Sequence, residues 1–483
     1  MSDDASSAFK RGKTSFDNSD YPQAEREFTI AESLDPANPE YPAWLAVTHQ
    51  FSGRYDLARA AIVRSIAAGG APLAYFVRGN LRDDKDVALK ILDYTTAIKL
   101  DPSLAPAYYS RASVLRSRGD FVRALADYTR AIELDPGRAA AYVERGTMLG
   151  TAGLLDEAIE DFTKAIELDP ESAAGYSNRG NALRLKNLLD EAIADCTRAI
   201  ELDPRDGPVY YTRGLVLYDK GSVKKAIADF NMAIKLDPNS AHAHNDRGIA
   251  LAAMGRPDKA IADFITAIEL EPEYASAYNN RGLALTFKGN PEDAITDFTK
   301  SIELNPEDPA PFFNRGDALS DKGLLEEAIT DYTTAIELDP KYTSSFFNRG
   351  VARDAMGREV EAIADYTRTV ELDPKHVGGY NNRGNALKKM GLLDEAIADY
   401  TRAIELDPGY IRGHINRGDA LRSQGNLAGA IADYTRAIEL DPEEAYAFDG
   451  RGKALTAQGL LDQAQADFKR AIELDPTYAD PDH

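Results

Sequence analysis

Cysteine is all but missing: Cys196 is the only one in 483 residues. That excludes an intrachain disulfide and any cysteine-based metal cluster. Tryptophan is equally scarce, with Trp44 alone, and the six histidines are scattered. His242 and His244 stand two apart, so they do not share a helix face. No apolar run approaches the roughly 18 residues that span a bilayer. The first residues, Met-Ser-Asp-Asp-Ala-Ser-Ser, hold no basic stretch before an apolar core, so no secretory leader is expected. Basic charge is in deficit, with 56 Lys+Arg against 79 Asp+Glu and a net charge of −23. Nucleic-acid affinity rests largely on basic side chains, and so does docking on anionic membranes. Neither nucleic acid nor a membrane is therefore expected as a partner, and the expected location is cytoplasmic. There is also no glycine-rich phosphate loop, nucleophile elbow or Cys/His metal spacing. We expect no enzyme, no catalytic residue, no metal and no cofactor.

What the chain does have is a repeat. Ala-Ile-Glu-Leu-Asp-Pro or a close variant recurs, and its prolines run from Pro136 to Pro476 in steps of 34 residues. Eleven uninterrupted repeats fill 105–138, 139–172 and onward to 445–478. The frame extends upstream less regularly over 5–104, as 5–38, 39–71 and 72–104. Polar tails at 1–4 and 479–483 complete the division.

Each repeat reads as two helices. In 377–410, Tyr380, Gly384 and Leu387 share one face of a first helix. Gly391 follows, a residue suited to the left-handed conformation that ends helices. Ala396, Tyr400, Ala403 and Ile404 mark one face of a second helix, which stops at Asp407-Pro408 because proline disfavours helix in the residue before it. Counting from the start of each repeat, position 8 is Gly in ten of the eleven regular repeats (Ala112 is the exception) and position 20 is always Ala. Glycine inside a helix costs about 0.5–1 kcal/mol against alanine. Close approach of the two helix backbones is the expected offset.

These residues resemble the tetratricopeptide repeat: an aromatic at position 4, Gly at 8, a large residue at 11, Ala at 20, an aromatic at 24, Ala at 27 and Pro at 32. The resemblance covers 5–478, with departures at Asn187, Arg353 and Cys196. It implies an all-α fold, a right-handed α-solenoid or superhelix of about 14 helix hairpins. It also implies a scaffold or adaptor that binds a protein or peptide partner.

Position 7 is usually leucine in such repeats, yet here it is Arg in all eleven regular repeats, with Asp at position 23 in the same eleven. The repeat at 5–38 has Arg11 with Glu27, whereas 39–71 has Leu45 with Ala61. The repeat without the arginine also lacks the acid. Either copied repeats share residues by descent, or the two positions form a salt bridge. Exposed pairs contribute about 0–1 kcal/mol, so register is the expected role.

In the family resembled, first helices line a concave groove and positions 2, 5, 6 and 9 face inward. Position 6 supplies Asn178 and then, in five consecutive repeats, Asn280, Asn314, Asn348, Asn382 and Asn416. An asparagine offers two donors and an acceptor, so a row of them suits the backbone of an extended peptide. The row is similar to the asparagine ladder in the repeat region of the O-linked N-acetylglucosamine transferase. Tyr109, Tyr211, Phe313 and Phe347 at position 5 are candidate apolar pockets between the amides. The structural alternative is that these asparagines are copied with their Asn-Arg-Gly context or cap local helix ends. A lysine-rich clamp for acidic chaperone tails is not supplied: Asn385 and Asn416 fit it, but Asn381, Tyr446 and Gly450 hold its other places.

His244 and His414 take the packing position of tyrosine, and Cys196 an aromatic core position, so all three read as structural. Trp44 reads as groove or packing. The periodic carboxylates read as solvated helix surface. Gln465 replaces an isoleucine that repeats 139–444 all carry, while Phe468 and Ile472 remain apolar. Homo-oligomers formed through solenoid ends are therefore a second expectation, with a self-associating structural protein as the alternative function. The regulatory subunit of an enzyme such as a glycosyltransferase is a third.

Overall fold

A computed structural model describes residues 4–479, and the two tails lie almost wholly outside that range. The described residues form twenty-eight α-helices, a short 3₁₀ turn at Pro476–Ala479 and no strand. They group into two bodies, one ending at Pro238 and one starting at Asn239. Each body is a stack of antiparallel helix hairpins, so the all-α solenoid architecture is observed.

The repeat at 377–410 shows how the sequence makes a hairpin. Its helices are Val377–Lys389 and Leu393–Leu406. Gly391 between them has φ +78°, with nothing within 4 Å of where a Cβ would sit. Asn187 holds the same place at φ +62°, a conformation asparagine tolerates better than other side chains. Asp407, just before Pro408, is extended at φ −138° and ψ 95°.

The glycine at position 8 is required by a ring. A Cβ on Gly384 would lie 2.6 Å from Cε1 of Tyr400 at position 24. This corrects the expectation of backbone against backbone. At Gly180, where Cys196 replaces the ring, its Sγ lies 2.7 Å from the would-be Cβ and Ala192 O 3.4 Å. Ala396 and Tyr400 are fully buried and pack with Ala420 of the next repeat, so the core runs between repeats as well as within them.

First helices of successive repeats touch one another, as Ala241–Ala253 touches Ala275–Phe287, whereas second helices make no comparable contact. The first helices are thus the closely spaced layer of each body.

The first three repeats are less regular. The first helix of 72–104 is Pro72–Asn80, nine residues long, whereas those of the regular repeats have thirteen or fourteen. Trp44 is packing: its ring contacts Phe9, Phe16 and Phe28, with Lys13 Nζ 5.0 Å above it.

Candidate functional site

The position-7 arginines anchor the first helices that carry the candidate groove residues. All eleven regular repeats hold a two-point Arg–Asp bridge, as in Arg383 Nε and Nη2 donating to Asp399 at 2.7 Å each. Arg111–Asp127 and Arg451–Asp467 have the same geometry. The bridges are not surface pairs: Asp399 is 7 % exposed, so expectations based on exposed pairs underrate them. The third arginine nitrogen reaches the preceding repeat, where Arg383 Nη1 donates to Thr367 at 3.2 Å. Arg281 has no such hydroxyl to reach, because Ile265 stands where the threonine would be. Each arginine therefore fixes its own hairpin and, where the threonine is present, ties it to the one before. The hydrogen bond from Arg383 to Asp399 raises the arginine's pKa above its ordinary value. Asp433 is held below the carboxylate range: burial pushes it up, but hydrogen bonds from Arg417 and His414 outweigh that.

His414 is buried, with Nδ1 3.3 Å from Asp433, and His244 Nδ1 lies 3.7 Å from Asp263. Both join the Arg–Asp bridges. Burial pushes the Cys196 thiol up to about 12, which makes it a core group rather than a reactive one.

The asparagine row is half-buried and cross-linked. Asn280 donates to Asn245 Oδ1 at 3.0 Å, Asn314 to Asn279 at 2.8 Å and Asn416 to Asn381 at 2.9 Å. Each bond joins position 6 of one repeat to position 5 of the repeat before. Where position 5 is Phe313, Asn348 turns instead to Asp317 Oδ1 at 2.7 Å. After Phe347, Asn382 accepts from Asn381 at 3.2 Å. Asn178 belongs to the other body and is also half-buried. The position-5 aromatics lean on the position-24 rings of their own repeats: Tyr211 on Phe230 at 6.0 Å, Phe313 on Tyr332 at 6.0 Å and Phe347 on Tyr366 at 5.9 Å between centroids.

Sequence reasoning missed the position-5 asparagines and the role of position 9. A signal for the former was present: Asn245, Asn279 and Asn381 are each followed 35 residues later by asparagine. In three of the regular repeats position 9 bonds the ring at position 24. Tyr332, Tyr400 and Tyr434 hydroxyls donate to Asp317, Asn385 and Asp419. Ile249 and Leu283 instead accompany Phe264 and Phe298. An apolar cavity opens there on the same face, lined by Ile249, Ala252, Leu283 and Phe287 with Asn280 at its edge.

No group of side chains suited to a metal ion occurs among the described residues. No helix among them is long and apolar enough to cross a membrane.

Family models described as tetratricopeptide repeat or TPR repeat match the chain at 105–138, 173–206 and 378–410, at 151–187, 214–255, 316–357 and 418–459, at 245–309 and at 445–478. No curated protein matches the sequence. Among solved structures, the chain is similar to the APC/C hetero-tetramer Cut9-Hcn1, at 16% identity over 93% of this chain and 96% of that one, with a TM-score of 0.42. It is similar to YrrB, described as a TPR protein with an unusual peptide-binding site, at 29% identity over 38% of this chain and 95% of that one (TM-score 0.33). It is also similar to PilF of Pseudomonas aeruginosa, at 20% identity over 43% of this chain and 94% of that one (TM-score 0.40).

Proposed function

The chain belongs to the tetratricopeptide repeat family and is a protein-interaction scaffold, and from that premise we propose that it holds an extended segment of a partner protein along the face carrying Asn280, Asn314, Asn348, Asn382 and Asn416. The observation that carries the proposal is the way these amides are held. Asn280, Asn314 and Asn416 each commit one N–H to the neighbouring repeat. A side-chain amide has a second N–H and an oxygen with two lone pairs, so a donor and an acceptor remain for a peptide backbone. Their orientation is set before the partner arrives, which lowers the ordering cost of binding.

The test is a pull-down from source lysate with the wild type beside the Asn314→Ala/Asn348→Ala/Asn382→Ala variant. Each alanine also removes a bond within the solenoid, so thermal unfolding is measured on both. We expect the variant to stay folded at the working temperature and to lose its partners. A folded variant that retains the wild-type partners overturns the proposal.

A further inference from the structure

Resting on that reading, we infer that the segment bound between repeats 241–274 and 309–342 carries one bulky apolar side chain and, about three to five residues away, a lysine or arginine.

The apolar half of the argument is the cavity formed by Ile249, Ala252, Leu283 and Phe287 above Phe264, with a volume of about 200 Å³. Pockets for small molecules run to about 300–1,000 Å³, so this one suits a single side chain. Phe287 is 77 % exposed and Leu283 44 % exposed, large apolar surfaces beside the asparagine row. Their covering would release water from surface that nothing in this body covers.

The charged half lies on the next first helix, Pro309–Asp321. Asp317 is half-buried and receives two neutral donors, Tyr332 Oη and Asn348 Nδ2, at 2.7 Å each. Among the described residues, neither Asp317 nor the exposed Asp321 has a cation within salt-bridge distance. The same repeat position three hairpins on is instructive. Asp419 has Lys388 at 3.5 Å and Arg422 at 3.9 Å, and it also accepts from Tyr434. Asp354, also on a first helix, has Lys389 at 2.8 Å. Asp317 has the hydroxyl and the amide but lacks the cation. Burial is the main reason its carboxyl is held above the usual range, and the Asp321 charge adds to it. A guanidinium or ammonium from the partner would supply the missing charge in a partly desolvated place, where such hydrogen bonds are strong.

The spacing follows from geometry. Neighbouring helices pack about 8–10 Å apart, and an extended chain advances about 3.3 Å per residue. The cavity and Asp317 are one to one and a half repeats apart along the stack.

A random dodecapeptide library displayed on phage, panned against the full chain, tests this. Panning is repeated on three variants: Asp317→Asn/Asp321→Asn, Phe287→Ser, and the triple asparagine variant. The first is isosteric and the second alters an exposed residue, so both should fold, and circular dichroism checks this. The inference predicts enriched peptides with an aromatic or large aliphatic residue three to five positions from Lys or Arg. Asp317→Asn/Asp321→Asn should weaken their binding about tenfold or more and remove the basic preference. Phe287→Ser should remove the apolar preference. Peptides that depend on the asparagines but show no such pair overturn this inference and leave the groove reading standing. Peptides indifferent to all three variants, or no enrichment at all, overturn both.

Discussion

The repeats at 39–71 and 377–410 make the same hairpin around opposite centres. In 377–410, Arg383 and Asp399 form a buried ion pair, Gly384 leaves room for a ring and Tyr400 fills it. In 39–71 the corresponding residues are Leu45, Ala61, Ala46 and Ile62, all at most 3 % exposed. One centre is charged and hydrogen-bonded, the other wholly apolar, and each is complete in itself. The fold therefore does not need the ion pair. What it needs is that the four positions agree. The apolar hairpin has no arginine at this position and is joined to the repeat before by Arg54–Glu25 and Arg64–Glu32 instead, whereas Arg383 reaches back to Thr367 from the hairpin's centre. The arginine thus sets register between repeats, as well as the geometry of the first helix from which the asparagines project.

Breaking the agreement should cost most. Arg383→Leu alone leaves Asp399 buried without its cation, a loss of about 3–5 kcal/mol in denaturant unfolding. Adding Asp399→Ala, which copies Leu45 and Ala61, should recover most of that loss. A double-mutant cycle without coupling would refute the contact as a stabilising unit.

The ring and the glycine should behave in the same way with a smaller effect. Gly384→Ala forces Tyr400 aside and should cost about 1–3 kcal/mol. The cost should fall in a Tyr400→Ile background, which reproduces Ala46 with Ile62. Ala112 beside Tyr128 shows that the ring can give way, so the low end of that range is expected.

Thr367→Val, which removes the bond between repeats but keeps the pair, should cost about 1 kcal/mol. Ile265, which precedes Arg281, shows that the stack survives without it. A loss as large as that of Arg383→Leu would mean that the link between repeats outweighs the bridge itself.

A further effect appears in alkali. Burial pushes the Tyr94 and Tyr128 phenols up to about 12 from 10.0. The folded state binds these protons more tightly than the unfolded chain does. The stability this supplies is full below pH 10 and is lost as pH rises from 10 to about 12. Tyr128→Phe should flatten that decline. The repeat at 39–71 has Ile62 at this position, so it has no phenol there to titrate.

The same contrast explains what was legible in the sequence. The hairpins follow from a 34-residue period that leaves little freedom, and the Arg–Asp contact from its joint absence at Leu45 and Ala61. Burial of the pair was not legible, because the repeat shows which residues meet and not how deeply. Nor was the ring under Gly384, since a close backbone and a close ring both demand glycine. The asparagine row was visible as a row, but its bonds cross from one repeat to the next. They appear only at a 35-residue offset, which comparison in a 34-residue frame hides. The cavity joins Ile249 and Ala252 of one repeat to Leu283 and Phe287 of the next above Phe264, a meeting across repeats that no single position announces.

The most direct test of the account is photocrosslinking from two positions of the second body. A benzophenone amino acid replaces Phe287, at the cavity beside the asparagine row, or Val360, an outer residue of Glu359–Leu372 that is 69 % exposed. Irradiation in source lysate should give a partner adduct from position 287 and none from position 360. Adducts from 360 with none from 287 would move the binding surface to the second helices and contradict the groove.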